Sequence, residues 1–175
     1  MRVYKREERG VELLKQLLVF APEHAKDDVS LQIVDERRHA FLFETRLKDL
    51  DIDCEGMKKN LRSLYDLAQT YVNEKDWVNC IAIQAVIEEL AMASFGHAYQ
   101  KLDGATQEVL RGIIADETRH LAFCFDEMKR FDGTAHEKIA SVHERVISIM
   151  RDVGNYSGYT LEEKKEAVMI MKKAY

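Results

Sequence analysis

The chain has 175 residues, of which 46% are apolar and 33% charged, and carries a net charge of −5. That balance describes a globular protein large enough for one well-buried domain and too small for two ordinary ones. It gives no support to nucleic-acid binding, and no apolar run approaches the roughly 20 residues a membrane span needs. Cys54, Cys80 and Cys124 are scattered in no metal-binding or redox spacing. The first nine residues are too charged for a secretory signal. Both features predict reduced thiols and a cytoplasmic protein, so Asn155-Tyr156-Ser157 reads as a turn rather than a glycosylation site.

One proline and eight glycines favour long helices over a sheet. The first helix is predicted from about Val3 to Phe20, stopped by Ala21-Pro22. The second runs from about Asp28 to Leu50, and a shorter polar helix covers Met57 to Val72. The third main helix starts near Asp76, a helix-capping residue type, and ends near Lys101. The fourth follows the Asp103-Gly104 turn and ends at Asp132-Gly133. Thr134 with Glu137, and Thr160 with Glu163, have capping-box spacing and open two C-terminal helices. Each main helix has an apolar stripe at helical period: Val11, Leu14 and Leu18; Val29, Ile33, Phe43, Leu47 and Leu50; Trp77, Ile81, Met92, Phe95 and Tyr99; Leu110, Ile113, Cys124, Met128 and Phe131. Four amphipathic helices joined by short turns predict an all-α bundle. Residues 1–175 are expected to form one domain, with its core at 3–131 and added helices over 134–175.

The chain repeats itself. A shift of 81 residues lays Asp35-Glu36-Arg37-Arg38-His39 on Asp116-Glu117-Thr118-Arg119-His120, Glu7-Glu8 on Glu88-Glu89, and Ile33 on Ile114. Two similar helical hairpins therefore make the domain. In each copy a Glu and a His stand three apart, which points both side chains the same way on a helix. Both pairs continue apolar stripes, as do Glu7 and Glu88. Four glutamates and two histidines thus fall on core-facing positions. Burying unpaired carboxylates costs several kcal/mol each, by order of magnitude, and two divalent cations would balance four of them. Carboxylate and imidazole donors suit iron or manganese rather than thiolate-bound zinc. The predicted metal ligands are Glu7, Glu36, His39, Glu88, Glu117 and His120. Glu8 and Glu89 are rivals for the upstream positions, although the stripes and the small residues Gly10 and Ala91 favour Glu7 and Glu88. Glu12 reads as a surface residue. Asp35 and Asp116 are expected behind the ligands, taking the outer N–H of a histidine on the opposing helix. Arg38 and Arg119 pair with those aspartates or face solvent.

Asp-Glu-x-Arg-His twice, each with an upstream glutamate, resembles the ferritin-like di-iron carboxylate superfamily. It is similar to multicomponent monooxygenase hydroxylases and ribonucleotide reductase small subunits. Ile87 to Phe95 also resembles the third helix of aldehyde-deformylating oxygenases. The resemblance covers about Glu7 to Phe131 and implies a ferritin-like four-helix bundle with additional C-terminal helices. It further implies two iron ions, or a manganese–iron pair, held by the six residues, and activation of dioxygen.

The expected activity is oxidation of a small, fairly apolar organic substrate beside Phe43, Ala91, Met92, Ser94 and Phe95. No Cys-x-x-Cys pair marks an attached rubredoxin, so an external electron donor is expected. A monomer or homodimer is expected, without nucleic acid or membrane as partner. The alternative is an iron-handling protein: a ferroxidase, a storage bundle or a peroxide-detoxifying one. A haemerythrin-like carrier needs more core histidines. His24, His97, His136 and His143 fall outside the pattern, and Tyr65, Tyr71, Tyr99, Tyr156 and Tyr159 mark no radical site.

Overall fold

Breakers and caps decide where each helix stops. A computed structural model describes residues 3–52 and 62–152, without the side chains of 3–7, 62, 97, 135–136, 147 and 150–152. Helix α1 spans Val3–Phe20 and α2 spans Lys26–Asp49; they are followed by α3 (Arg62–Asn73), α4 (Trp77–Tyr99), α5 (Gly104–Arg130) and α6 (Gly133–Asp152). No strand occurs among the described residues. Pro22 ends α1 and opens a short 3₁₀ turn, Glu23–Ala25, closed by Ala25 N–H donating to the Pro22 carbonyl at 2.9 Å. That turn starts α2 two residues earlier than the sequence suggests.

The chain falls into two compact units, residues 1–80 and 81–175. In the first, α1 packs on α2 and α3. Its core includes Val11, Leu14 and Leu17 of α1, Val29 and Ile33 of α2, and Leu64 and Tyr71 of α3. Leu17 takes the place expected of Leu18, which is half-buried. A period of 3.6 lets the stripe continue from Leu14 by three residues or by four, and packing chooses. On the surface, Arg9 pairs with Asp66 and lies 5.4 Å over the Tyr65 ring, tying α1 to α3.

Both α2 and α3 end in left-handed residues, Asp51 (φ 52°) and Lys75 (φ 53°). The following N–H groups reach back, Ile52 to Leu47 O and Asp76 to Tyr71 O, each at 3.0 Å. These bonds satisfy carbonyls that a helix end leaves open. The reversal at Asp51 leaves Leu50 39% exposed, so it is no core residue. Asp76 caps α4, accepting from Asn79 N–H at 3.2 Å.

In the second unit the turn 100–103 joins α4 to α5. Asp103 caps α5, accepting from Thr106 N–H at 3.1 Å and the Thr106 hydroxyl at 2.6 Å. The Gln107 amide closes the turn, donating to the carbonyls of Tyr99 and Leu102 at 3.0 Å each. Asp132, not Thr134, supplies the oxygen at the head of α6: it accepts from the Thr134 N–H at 3.0 Å and from its hydroxyl at 2.6 Å. The expected Thr160 start lies outside the described residues.

Helix α4 departs from a one-sided stripe, because residues 80 to 86 are all buried. Over Trp77–Gly96 it is long and apolar enough to cross a membrane, contrary to the sequence expectation. More than half of that stretch is buried in the protein, as in a core helix. Ile81 and Ile113 are 0% exposed, and burying each stabilises the fold by about 1.5–3 kcal/mol.

Candidate metal centre

In the second unit α4 carries Glu88 and α5 carries Glu117 and His120. The three-residue step from Glu117 to His120 puts both on one face. All three are buried, at 6%, 4% and 1% exposure. His120 Nδ1 lies 3.0 Å from Glu117 Oε2 and 3.8 Å from Glu88 Oε1. One ligand atom from each of the three lies within 4.8 Å of the others. The neighbouring Glu89 is only half-buried.

The first unit holds the matching pair. Glu36 and His39 are 7% and 0% exposed, with His39 Nδ1 3.7 Å from Glu36 Oε2. The Glu7 side chain lies outside the described ones, while Glu8 is exposed. Glu12 is exposed and pairs with Lys15, as expected of a surface residue.

Asp35 and Asp116, each just before a glutamate of the motif, are buried at 5% and 7%. Both pair along their own helix with the arginine three residues on: Arg38 to Asp35 at 3.6 Å and Arg119 to Asp116 at 3.1 Å. The arginines are nearly half exposed, so they reach in from the surface to the buried carboxylates.

The donor chemistry fits a hard divalent cation. Two carboxylates and an imidazole converge on one buried spot, and oxygen with nitrogen suits iron or manganese. Cys124, one turn beyond His120, adds no thiolate to that set. Burial first, then the charges of Glu88 and Glu127, push its thiol well above the usual range, so the sulfur keeps its proton.

Among residues expected to line a substrate space, Ala91 and Met92 are buried one turn from Glu88, whereas Phe43 and Phe95 are half-buried. Ser94 is exposed, its hydroxyl donating to Leu90 O at 2.7 Å. It sits six residues from Glu88, about a third of a turn round the helix, and faces solvent rather than an inner space. A Cβ at Gly10 would meet nothing within 4 Å. His24 and His143 are exposed. Tyr65 and Tyr71 belong to the apolar core of the first unit.

One residue of note was passed over in the sequence. Glu127 is 3% exposed and pairs with Arg130 at 3.0 Å. The signal was present: Glu127 lies ten residues after Glu117, nearly three full turns, and so shares its face.

No curated protein matches this sequence. A solved structure, "Protein 19 with aldehyde deformylating oxidase activity from Synechococcus", matches with a TM-score of 0.80 at 16% identity, over 95% of this chain and 80% of that one. At that identity the likeness establishes the fold, the all-helical ferritin-like bundle with a helix added after its fourth. The sequence also matches a protein family over residues 3–173, nearly its whole length. The chain belongs to the long-chain fatty aldehyde decarbonylase family.

Proposed function

We propose that the protein is a di-iron oxygenase that acts on a long-chain fatty aldehyde and removes its formyl carbon. The observation that carries this reading is the buried Glu88, Glu117 and His120 trio, in a chain of the fatty aldehyde decarbonylase family. Support comes also from the repeat, which supplies Glu36 and His39 at matching positions on α2.

In this reading Glu7, Glu36, His39, Glu88, Glu117 and His120 hold two iron ions, which when bound would supply the redox chemistry that activates dioxygen. The chain's own residues do the rest. The four carboxylates would balance the charge of the two cations and, with the two imidazoles, would hold them. Asp35 and Asp116, each set by its arginine, orient donors from behind. Ala91 and Met92 keep one flank of the site apolar, which excludes water and suits an alkyl chain. An external donor supplies electrons.

The test is to load purified protein with ferrous iron under anaerobic conditions and add a long-chain aldehyde, a chemical reductant and oxygen. The expected result is about two bound irons per chain, loss of aldehyde, and a hydrocarbon one carbon shorter. Iron released as a ferric mineral with the aldehyde untouched would replace this reading by the iron-handling one.

A further inference from the structure

Helix α2 buries one face and leaves an apolar stripe on the other. Of the six large apolar side chains exposed among the described residues, three lie on this helix: Leu31 at 44%, Val34 at 59% and Phe41 at 65%. Single exposed apolar residues are ordinary, but a row of them along one helix marks a contact surface. With Asp27 and Arg38, both exposed, the row steps by four, three, four and three residues. That is a heptad seam, the spacing that lets one helix lie along another. Glu36 and His39 are buried on the far side of α2, so the seam stands outside the candidate metal centre. Its charges are of opposite sign, an acid at the head of the helix and a base eleven residues on. Two such helices laid parallel would set Asp27 on Asp27 and Arg38 on Arg38. Laid antiparallel, they set Asp27 against Arg38 and Leu31 against Val34, so the stripe is complementary to itself.

We propose that this face of α2 docks a second copy of the chain, the two helices packing antiparallel about a twofold axis level with the step from Leu31 to Val34. Leu31 then lies against Val34 of the partner subunit, and Asp27 against Arg38 of the partner subunit. Phe41 comes over the 3₁₀ turn at His24 of the partner subunit. The symmetry repeats each of these contacts. Arg38 serves both chains. It stands 3.6 Å from its own Asp35 with its side chain 47% exposed, and a guanidinium has five N–H donors to share. A lipid surface is the poorer match. On the seam one acid cancels one base, and a chain of net charge −5 is repelled by anionic headgroups. A single helix pair of about five turns falls short of the roughly 1,200–2,000 Å² buried in stable complexes. The dimer is therefore reversible and forms as concentration rises.

The test follows the full chain by sedimentation velocity from micromolar to millimolar concentration, where a concentration-dependent dimer is expected. Val34→Asp should weaken it by roughly tenfold or more, because the lost contact occurs twice. Its melting temperature should stay that of the native chain, since an exposed position tolerates the change. The register is read separately, by oxidative cross-linking with Cys54→Ser in every variant. Asp27→Cys combined with Arg38→Cys should give a disulfide-linked dimer on a non-reducing gel. Within one chain the two sulfurs cannot meet, because eleven residues of helix hold them about 16 Å apart. Neither substitution alone should cross-link. A native chain that stays monomeric at every concentration would overturn the proposal. So would a dimer that Val34→Asp leaves intact, which would lie on another face. Cross-linking by Asp27→Cys alone, or none in the combined variant of a chain that dimerises, would refute the antiparallel pairing. Binding of the monomer to vesicles of phosphatidylcholine and phosphatidylglycerol, lost in Val34→Asp, would assign the stripe to a lipid surface instead.

Discussion

The two copies of the repeated motif agree at the proposed ligand positions and part company one turn later. On α2 and on α5, Asp, Glu, Arg and His recur at the same steps, with the same buried aspartate held by the same exposed arginine. Beyond the histidine the copies diverge: Phe43 of α2 matches Cys124 of α5, and Arg46 with Asp49 matches Glu127 with Arg130. The ion pair is kept with its polarity reversed. Arg46 faces Asp49 at 3.8 Å and keeps 17% side-chain exposure, whereas Glu127 is 4% exposed and sits 3.0 Å from Arg130. The two histidines differ likewise, 3.7 Å from their carboxylate in the first copy and 3.0 Å in the second. The repeat thus keeps the Asp, Glu, Arg and His steps and lets the flanking turns differ, and of these two helices, among the described residues, α5 is the one that continues its buried polar row beyond the histidine.

The largest effect should come from breaking the part that is alike. Glu36→Ala, His39→Ala, Glu117→Ala and His120→Ala should each remove most bound iron, read by elemental analysis after desalting. Glu89→Ala should leave iron content intact while Glu88→Ala lowers it. Equal loss from both would shift the ligand register by one residue. Metal that binds only the folded state should also raise the melting temperature, adding about 2.7 kcal/mol at a hundredfold excess over Kd. Identical melting of metal-free and loaded protein would argue against a buried centre.

Next come the aspartates. Asp35→Asn and Asp116→Asn should each weaken iron binding by about 10–100-fold in a chelator competition. The Asp116 effect should be the larger, because its arginine lies closer, at 3.1 Å against 3.6 Å. Importing the first copy's residue into the second is a smaller perturbation. Cys124→Phe overfills a site that is 0% exposed and should cost about 1–3 kcal/mol in denaturant unfolding.

Alkaline pH gives a milder contrast. The Cys80 thiol is raised from 9.0 to about 12. A raised folded-state value means that its stabilising share is fully present below pH 9 and is lost as pH rises toward about 12. Cys80→Ala should flatten the stability curve across that window. The smallest effects sit at the helix ends and in exposed helix interiors. Lys75→Gly, at a left-handed residue, should be neutral or stabilise by less than about 1 kcal/mol. Gly112→Ala, where a Cβ meets nothing within 4 Å, should stabilise α5 by about 0.5–1 kcal/mol.

Much of this protein is legible one residue at a time. The ends of α1 and α5 follow from Pro22 and from Asp103-Gly104, because these residues act on backbone conformation within a turn of themselves. The motif glutamates and histidines stand out because a three-residue step on a helix is a local geometric fact, and an 81-residue repeat makes chance a poor account of it. Packing decided what local pattern left open. Leu17 rather than Leu18 faces the core, since both satisfy the period and only neighbouring helices distinguish them. Helix α4 is buried on every side from 80 to 86, so no stripe could reveal its inner face. Asp132 rather than Thr134 caps α6, because both can supply an oxygen there and the path of the backbone selects one. Glu127 lay on the right face all along. In sequence it looked like one more glutamate before an arginine, and only its burial, a property of the helices packed around it, separates a deep carboxylate from a surface ion pair.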